Sequence, residues 1–563
     1  MAKPFQASAA AMLFERNDAL VIEAFRRGEF DYLDGVGEIP EADFLRAIAS
    51  KKILDKLADA YPSPRSKHDV PLWVYIAGDI SMRFHGEHHF HAFPYIVRTG
   101  GLIEAFGTDM GHKATDPESG DITLACEGFN EKNQRPRQAP CDQDYLRKMA
   151  RDTDAELLHQ WFNRDVAGIL KQHHVFDSAG IFIADATYLF VPDNPQYEGS
   201  SVLLFDENNH PVSEKDLTPE KRARCTWRRC YKMVSLLHTN RKAEFFYYVG
   251  VRVIPGSDNE GPVLHQLVED FVTWHGTKTM KWLIVDRGFL DGEWIGRCKT
   301  DWSIDVLIPA RSNMTIHTDV VGLAEGGLVD FETWTPPPPP PKPVPLNQPE
   351  AIVKREETRQ RTLAKRKAEA REAAPASQTP ALSEVGMVTE LETFSTCTVP
   401  LTAIVNRETD DRGEIHYWVL LTTAEDVDPH QVRRDYALRT TIEERHRQLK
   451  CFSDLDEFSS RAFSLVANQV VFTLLTYTLM QWFLIREGRK DLTSRTRKRA
   501  LQLLRPAKTI IIIYYQQYVA YLSPLDHQEL VLTLEEEPRQ KILAKTRHIR
   551  RHMADELQAL PPS

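Results

Sequence analysis

The chain has 563 residues, of which 42% are hydrophobic and 27% are charged, and its formal net charge at neutral pH is −10. This composition is typical of a globular protein with about three or four domains, and it excludes collagen-like, wholly disordered and polytopic membrane chains. The overall charge does not indicate nucleic-acid binding, so a phosphate-binding surface requires a local concentration of basic residues. Seven scattered cysteines without a CxxC pair favour a reducing cytoplasm over a disulfide framework or a zinc ribbon.

Residues 1–175 are predicted to form a helical N-terminal region. Apolar residues recur there at spacings of three and four, as in LDKLADAY and AELLHQWFNRDVAGILKQHHVF. Residues 176–312 change to short β-branched and aromatic runs, such as IFIADATYLFV and FFYYVGVRVIPG, followed by alternating helical and strand patterns. This order predicts an α/β fold with a mixed sheet flanked by helices.

The pattern is interrupted at residues 335–382. The interruption contains six consecutive prolines, Pro336 to Pro341, and then a charged stretch that is poor in apolar residues. Consecutive prolines exclude a helix or a central strand, so we predict a stiff spacer followed by a solvated or disordered segment. Strand patterns return with FSTCTVPLTAIVNRE and EIHYWVLLTT.

Residues 429–485 are predicted to be helical, and the segment from Ala462 to Ile485 contains no charge. Its length suits a membrane span, but Asn468, Gln469 and Gln481 would be costly in hydrocarbon, so a buried core helix is favoured and no membrane partner is expected. Residues 486–563 are predicted to form a basic helical C-terminal region, with 15 Lys and Arg against 9 Asp and Glu. Such a region suits phosphate contacts, although a solvated helical face explains it equally well.

Two aspartates follow apolar strand patterns. Asp185 comes after IFI and Asp286 comes after LIV. A carboxylate held at a strand end suits the coordination of a hard divalent cation, although turn formation and helix capping are the more frequent reasons for this placement.

The segment RRDYALRTTIEERHRQLK carries a sharper pattern. Tyr436, Arg439, Glu443 and Lys450 are spaced so that all four project to one side of a single predicted helix. Such a face combines a carboxylate for a metal with two cations and a phenol for phosphates. The alternative is an exposed helix with internal Glu–Arg pairs.

The spacing Tyr-x2-Arg-x3-Glu-x6-Lys resembles the signature of bacterial insertion-sequence transposases of the DDE class, of the IS-four type. Asp185 in IADATY and Asp286 in VDRGF are similar to the first two acidic residues of that class, and Glu443 is similar to the third. Asp291 is a rival candidate for the second acidic position, and Glu444 is a rival candidate for the third. The resemblance implies an RNase H-like core in two parts, residues 176–312 and 429–485, separated by a β-rich insertion subdomain at 313–428.

The resemblance also implies a metal centre. Asp185, Asp286 and Glu443 would be the catalytic residues and would bind two Mg²⁺ ions, for which Mn²⁺ can substitute. Tyr436, Arg439 and Lys450 would contact DNA.

Two further residues are similar in placement to DNA-contacting residues of the class. Trp418, in YWVLLTT, would stack on a base flipped out near the transposon end, although a core aromatic is an equally ordinary interpretation. Arg311, after VLIPA, would lie near the active site.

The implied function is cut-and-paste transposition of an insertion sequence. The partners would be transposon-end DNA, bound in part by the helical region 1–175, and target DNA, with a homodimer in the synaptic complex and a cytoplasmic, nucleoid-associated location. Two alternatives stay open: a metal-dependent DNA nuclease of the same fold without strand transfer, and a domesticated DNA-binding architectural protein.

Overall fold

The computed structural model describes residues 15–38, 41–68, 70–93, 96, 101–106, 113–115, 122–124, 143–336, 358, 361–362, 382–410, 412–453, 455–496, 508–516 and 518–545. The spacer and charged stretch predicted at 335–382 lie almost entirely outside these residues, as do many of the basic residues of the C-terminal region. The chain forms two compact units, one made of residues 1–154 and 497–563 and the other of residues 155–496.

Up to residue 154 the described elements are strands β1 (Glu15–Arg16), β2 (Tyr32–Glu38), β3 (Lys113–Thr115) and β4 (Ile122–Leu124), and helices α1 (Asp18–Arg26), α2 (Glu41–Ser50), α3 (Ile53–Ala60), α4 (Leu72–His85), α5 (Gly101–Phe106) and α6 (Gln143–Asp152). From 155 to 336 they are α7 (Ala155–Gln160), a π-helical turn (Trp161–Val166), α8 (Ala167–Gln172), β5 (Ile181–Val191), β6 (Ser201–Phe205), α9 (Pro219–Arg222), β7 (Thr226–Thr239), β8 (Tyr247–Pro255), α10 (Glu260–His275), β9 (Trp282–Ile284), α11 (Gly292–Trp302), β10 (Asp305–Pro309), α12 (Thr315–Glu325) and β11 (Phe331–Thr333).

From 382 onward they are β12 (Leu382–Leu391), β13 (Leu401–Thr409), β14 (Ile415–Thr422), α13 (Pro429–Ala437), α14 (Arg439–Phe452), α15 (Phe463–Arg486), β15 (Lys508–Tyr515), β16 (Tyr518–Leu522), α16 (Pro524–Leu532) and α17 (Glu536–Lys545). Short 3-10 turns occur at Phe90–Ala92, Glu214–Asp216, Arg287–Phe289 and Lys490–Leu492.

The first unit joins the two ends of the chain in a four-stranded sheet. Strand β15 pairs antiparallel with β2 and β16, and β1 pairs parallel with β16. The run of isoleucines in β15 explains the strand, because β-branched side chains pack well on a pleated surface, and Ile511 and Ile513 are buried there in a cluster with Val21 and Phe25 of α1. The N-terminal and C-terminal regions, both predicted to be helical, therefore form a small sheet together, which the sequence analysis did not predict.

The second unit is built on a ten-stranded mixed sheet, in which β11, β12, β13, β14, β10, β9, β5, β7 and β6 follow one another and β8 also pairs with β7. Strands β5, β7 and β8 are antiparallel, while β9 is parallel to both β5 and β10. Helix α10 covers one face, where Phe271 packs against Phe182 of β5. Helix α14 covers the other. This mixed sheet with flanking helices confirms the predicted RNase H-like fold class.

The strands of the predicted insertion extend this sheet. Strand β14 pairs with β10, and β12 and β11 follow outward from β13. Helix α12 belongs to the same segment and buries Ile316, Val320 and Ala324. The segment predicted as an insertion contains β11, β12, β13 and β14, and these strands continue the central sheet and do not form a separate one.

Strand β8 has a free edge that helical side chains cover. The N–H of Phe246, the residue just before the strand, donates to Gln481 Oε1 of α15 (3.2 Å), and the N–H of Tyr248 donates to Thr478 Oγ1 of the same helix (3.1 Å). Beyond the bulge in β8, the Val251 N–H donates to Asn163 Oδ1 of the π-helical turn (2.8 Å). These bonds satisfy the edge without another strand. They also place the helices of residues 155–172 in the second unit, so the unit boundary falls at 154 and not at the predicted 175.

Helix α15 is long and apolar enough to cross a membrane, but 89% of its most apolar window is buried within the described part of the protein. Its two glutamines have partners in the second unit. Gln481 Nε2 donates to the Thr493 carbonyl (2.9 Å), and Gln469 Nε2 donates to the Glu457 carbonyl (3.2 Å). The helix therefore forms part of the core, where both glutamine side chains are hydrogen-bonded.

Candidate active site

Asp185 and Asp286 lie on neighbouring parallel strands. Ile183 of β5 is in register with Ile284 of β9, and each aspartate follows two residues later. Asp185 is inside β5, whereas Asp286 begins the 3-10 turn after β9, and its Oδ1 accepts the Arg287 N–H (2.7 Å). The short β9 thus brings the second carboxylate beside the first at the same end of the two strands.

Glu443 joins the two aspartates through Arg439 on the first turn of α14. Arg439 Nη2 lies 3.1 Å from Asp286 Oδ2, and Nη1 lies 2.8 Å from Glu443 Oε1. The guanidinium also attracts the ionised form of Asp185. Side-chain exposure rises from 14% at Asp185 to 35% at Asp286 and 49% at Glu443. The three carboxylates therefore share a cation in a site that is open to solvent on the Glu443 side.

Burial dominates the ionisation of Asp185. It raises the pKa of this carboxyl to about 7, and the charges of Glu443 and Asp286 add to the rise, while Arg439 opposes it. The same carboxylates raise the pKa of Arg439, although its burial acts in the opposite direction. The site is thus an acidic cluster whose charges are only partly balanced by the protein.

A comparison with protein-family profiles matches residues 178–479 to the transposase DDE domain, which is more than half of the chain. The chain belongs to the transposase DDE domain family. This membership confirms the resemblance to DDE transposases and supports a transposase role for the protein. No curated protein matches the chain in sequence.

The four residues of the Tyr-Arg-Glu-Lys spacing in this DDE domain lie on two helices and not on one. Tyr436 is near the end of α13, and α14 begins at Arg439 after a turn at Leu438. Tyr436 nevertheless remains close to the carboxylates. Burial is the main cause that raises its pKa to about 12, with Asp286 and Glu443 adding to the rise.

Lys450 lies at the other end of α14 and is bonded to the strand that carries Asp185. Its Nζ donates to Thr187 Oγ1 (2.7 Å) and to the Tyr188 carbonyl (2.6 Å). Burial lowers the pKa of this ammonium. Lys450 therefore fixes the position of the helix on β5 in addition to bringing a charge near the site.

Arg311 and Trp418 border the acidic cluster of the DDE domain. Arg311 donates through Nε (3.2 Å) and Nη2 (2.8 Å) to the carbonyl of Arg287, the residue after Asp286. The half-buried Trp418 ring lies 6.4 Å from the Tyr436 ring, and the Arg433 guanidinium lies 5.2 Å from the Trp418 ring centroid. Arg311 thus holds the turn that follows Asp286, and Trp418 lies beside the second half of α13.

Both rival carboxylates have other partners. Glu444 accepts hydrogen bonds from Arg447 and Gln448, and the bond from Arg447 is the main cause that lowers its pKa to about 2. Asp291 caps α11 by accepting the Trp294 N–H (3.1 Å). These contacts favour Glu443 and Asp286 as members of the acidic cluster.

Sequence reasoning missed His446, one turn after Glu443. Its Nδ1 lies 3.7 Å from Asp185 Oδ2, and its Nε2 lies 3.0 Å from Ser235 Oγ on β7. Burial lowers the pKa of this imidazole to about 3, so it is neutral behind the carboxylate. A spacing of three residues places His446 near Glu443 on the surface of a helix, which was a sequence signal for its position. Its contact with Ser235 had no such signal, because the two residues are 211 positions apart.

A second group of candidate cation ligands lies on the hairpin between β13 and β14. Asp410, Glu414 and His416 hold ligand atoms within 4.8 Å of one another. Asp410 Oδ1 already accepts the N–H groups of Arg412 and Glu414 (both 2.8 Å), which is the bonding of a turn-forming aspartate. This group therefore has a structural explanation as part of the hairpin.

We predict that Asp185 makes the metal-free DDE domain less stable as the pH rises. The folded-state pKa of about 7 exceeds the ordinary value of 3.8, so the folded state binds the proton more tightly and loses that stabilisation as the pH rises toward 7. Between pH 5 and 7 the free energy of unfolding of the wild type should fall by about 2 kcal/mol more than that of Asp185→Asn. Urea unfolding in EDTA measures the difference.

The control for this measurement is Asp301→Asn, which changes an exposed aspartate on α11. It should keep the wild-type dependence on pH. An Asp185→Asn protein that follows the same curve as the wild type would show that Asp185 has no raised pKa in the folded protein.

Proposed function

We propose that the protein catalyses metal-dependent cut-and-paste transposition of an insertion sequence, with cleavage at the ends of the element and joining to target DNA. The observation that carries the proposal is the convergence of Asp185, Asp286 and Glu443 on Arg439. Carboxylates from two strands and a helix in one open site are a ligand set suited to phosphoryl transfer with two hard cations. Membership of the transposase DDE domain family supports the same reaction.

The three carboxylates suit Mg²⁺, with Mn²⁺ as a substitute. Their donor atoms are all hard oxygens, which both ions accept. The unbalanced negative charge that helps to raise the pKa of Asp185 is a charge that a divalent cation would offset. What two such ions supply is activation of water or of a 3′-hydroxyl and stabilisation of the leaving oxyanion.

The neighbouring cationic and phenolic groups would hold the DNA. Once its carboxylates have other partners, the fork of Arg439 is free to bind a phosphate through two parallel hydrogen bonds. Tyr436 stays protonated at neutral pH, so its hydroxyl can donate to a phosphate oxygen. Lys450 adds positive charge beside β5, and Arg311 adds it beside the Asp286 turn. Together these residues would fix the scissile phosphate over the carboxylates.

Trp418 would take part in a hairpin intermediate. In that reaction the 3′-hydroxyl freed by the first cut attacks the opposite strand, and a base near the end must leave the stack to allow the tight bend. The half-buried position of the Trp418 ring near Tyr436 supports stacking on such a base.

The proposed partners are transposon-end DNA and target DNA. A homodimer is proposed for the synaptic complex because two ends must be cut and joined together. The proposed location is the cytoplasm, in association with the nucleoid.

We predict that Asp185→Asn, Asp286→Asn and Glu443→Gln each lower the rate of end cleavage by more than about a hundredfold, because each removes one metal ligand. Binding of the end DNA should change by less than about threefold, since most phosphate contacts remain. A denaturing gel with Mg²⁺ or Mn²⁺ measures cleavage, and fluorescence anisotropy measures binding.

Glu444→Gln is the matched control, because it removes a neighbouring carboxylate that is bonded to Arg447. It should retain cleavage. Loss of cleavage in Glu444→Gln together with normal cleavage in Glu443→Gln would reassign the third ligand. Cleavage by the wild type without joining to target DNA would favour the nuclease, and binding without cleavage in either metal would favour the architectural protein.

We also predict that Trp418→Ala loses the hairpin product but retains the first nick, because only the second step needs an unstacked base. The same gel resolves both products. Trp334→Ala is the matched control, since Trp334 lies on Arg433 as Trp418 does, 3.9 Å from the guanidinium to the ring centroid. Equal hairpin yields from Trp418→Ala and the wild type would remove Trp418 from this step.

A further inference from the structure

Strands β5, β6 and β7 continue beyond the acidic cluster as a three-stranded antiparallel ribbon. On β7, Ser235 pairs with Asp185 of β5, and Trp227 pairs with Leu204 of β6. Paired residues share a face, and side chains alternate along a strand, so Asp185, Ser235 and Trp227 belong to the same face. We call residues 187–191, 201–205 and 226–231 the outer ribbon.

The outer ribbon exposes apolar and aromatic side chains on this face. Trp227 is 50% exposed and Val202 is 40% exposed. The Arg222 guanidinium, on the short helix α9, lies 5.8 Å from the centroid of the Trp227 ring. An exposed tryptophan beside an arginine offers both a flat contact surface and a phosphate ligand.

The segment around Trp227 is strongly basic. Residues 221–232 contain six cations, Lys221, Arg222, Arg224, Arg228, Arg229 and Lys232, and no acidic residue. Arg229 and Lys232 are themselves largely buried and pair with Asp193 and Glu260. Arg222 and Arg224 instead pair with exposed acidic residues of other segments: Arg222 with Glu214, which is 59% exposed, and Arg224 with Glu207, which is 65% exposed. Exposed pairs of this kind contribute little to stability, so phosphates can replace the carboxylates.

The outer ribbon has a defined distance from the acidic cluster. Eight residues separate Ser235, opposite Asp185, from Trp227, which at roughly 3.3 Å per residue is about 26 Å. A DNA duplex rises about 3.4 Å per base pair, so the same distance spans roughly eight base pairs.

We propose that the outer ribbon binds duplex DNA roughly eight base pairs from the phosphate that lies at the acidic cluster. Arg222 and Arg224 contact the phosphates, and Trp227 packs against the sugar–phosphate backbone. The inference rests on the proposed function, and it adds a contact region remote from the chemistry that fixes the direction of the duplex. Its effect is on binding and not on the rate at which bound DNA is cut.

The test uses three duplexes from the end of the element: one with about 20 base pairs on each side of the cleavage position, and two shortened to about 4 base pairs on one side or the other. The variants are Arg222→Ala/Trp227→Ala and the charge reversal Arg224→Glu, which changes a side chain that is 71% exposed. Fluorescence anisotropy in EDTA measures the binding affinity across a salt series. Single-turnover cleavage in Mg²⁺ measures the rate at which bound DNA is cut.

Both variants should bind the long duplex about three- to tenfold more weakly than the wild type, and the slope of log K against log salt should be smaller by about 0.9 per lost contact. The difference should vanish on one shortened duplex, the one that lacks the arm reaching the ribbon. Single-turnover cleavage of bound DNA should not change.

The matched control is Arg297→Ala/Trp302→Ala on α11, where the guanidinium lies 5.4 Å from the ring centroid in the same kind of surface pair. It should bind all three duplexes as the wild type does. Unchanged binding of the long duplex by both ribbon variants, or equal weakening on both shortened duplexes, would overturn the inference. Failure of the proposed function gives a different result, namely absence of metal-dependent cleavage by the wild type whatever the ribbon variants do.

Discussion

Asp185, Asp286 and Glu443 repel one another because three carboxylates lie together in one partly buried site. Many contacts of the second unit hold them in place against this repulsion. Arg439 offsets part of this repulsion by bridging Asp286 and Glu443. Asp185, the most buried of the three, still has a pKa raised to about 7, so the balance is incomplete. A site with an excess of negative charge and an opening to solvent is prepared for cations, which is the physical basis of the proposed chemistry.

The scaffold keeps the carboxylates together through contacts on several sides. Neighbouring strands in register supply the two aspartates, and Arg311 bonds the turn that follows the second. His446 and Lys450 fix α14 to β7 and β5 on the far side of Glu443. Because these contacts come from distant parts of the chain, the site depends on correct assembly of the whole second unit.

Helix α15 and the helices of residues 155–172 stabilise this unit at the outer edge of β8. The edge N–H groups would otherwise be unpaired, and Gln481, Thr478 and Asn163 accept them. The bulge in β8 changes which N–H groups face outward. Helix α15 bonds the strand before the bulge, and the π-helical turn bonds it after the bulge. The edge of this sheet therefore explains two of the polar residues inside the most apolar segment of the chain, Thr478 and Gln481.

The fold class and the candidate acidic residues could be predicted because both rest on local patterns, namely apolar runs that precede Asp185 and Asp286 and a spacing that leads to Glu443. The contacts of His446 with Ser235 and of Lys450 with Thr187 could not, since they join segments more than 200 residues apart. The turn at Leu438 that divides the predicted helix carries no glycine or proline to mark it. The sheet formed by β2 and β15 was missed for the same reason of distance, although the isoleucine run of β15 was a local sign of a strand.

Anomalous X-ray diffraction from crystals soaked in Mn²⁺ would test the central claim most directly, because it locates the ion independently of activity. The account predicts an anomalous peak within coordination distance of Asp185 and of at least one of Asp286 and Glu443, with the Arg439 guanidinium moved away from its carboxylate partners. A peak confined to the hairpin of Asp410, Glu414 and His416, with Arg439 still bridging, would contradict it.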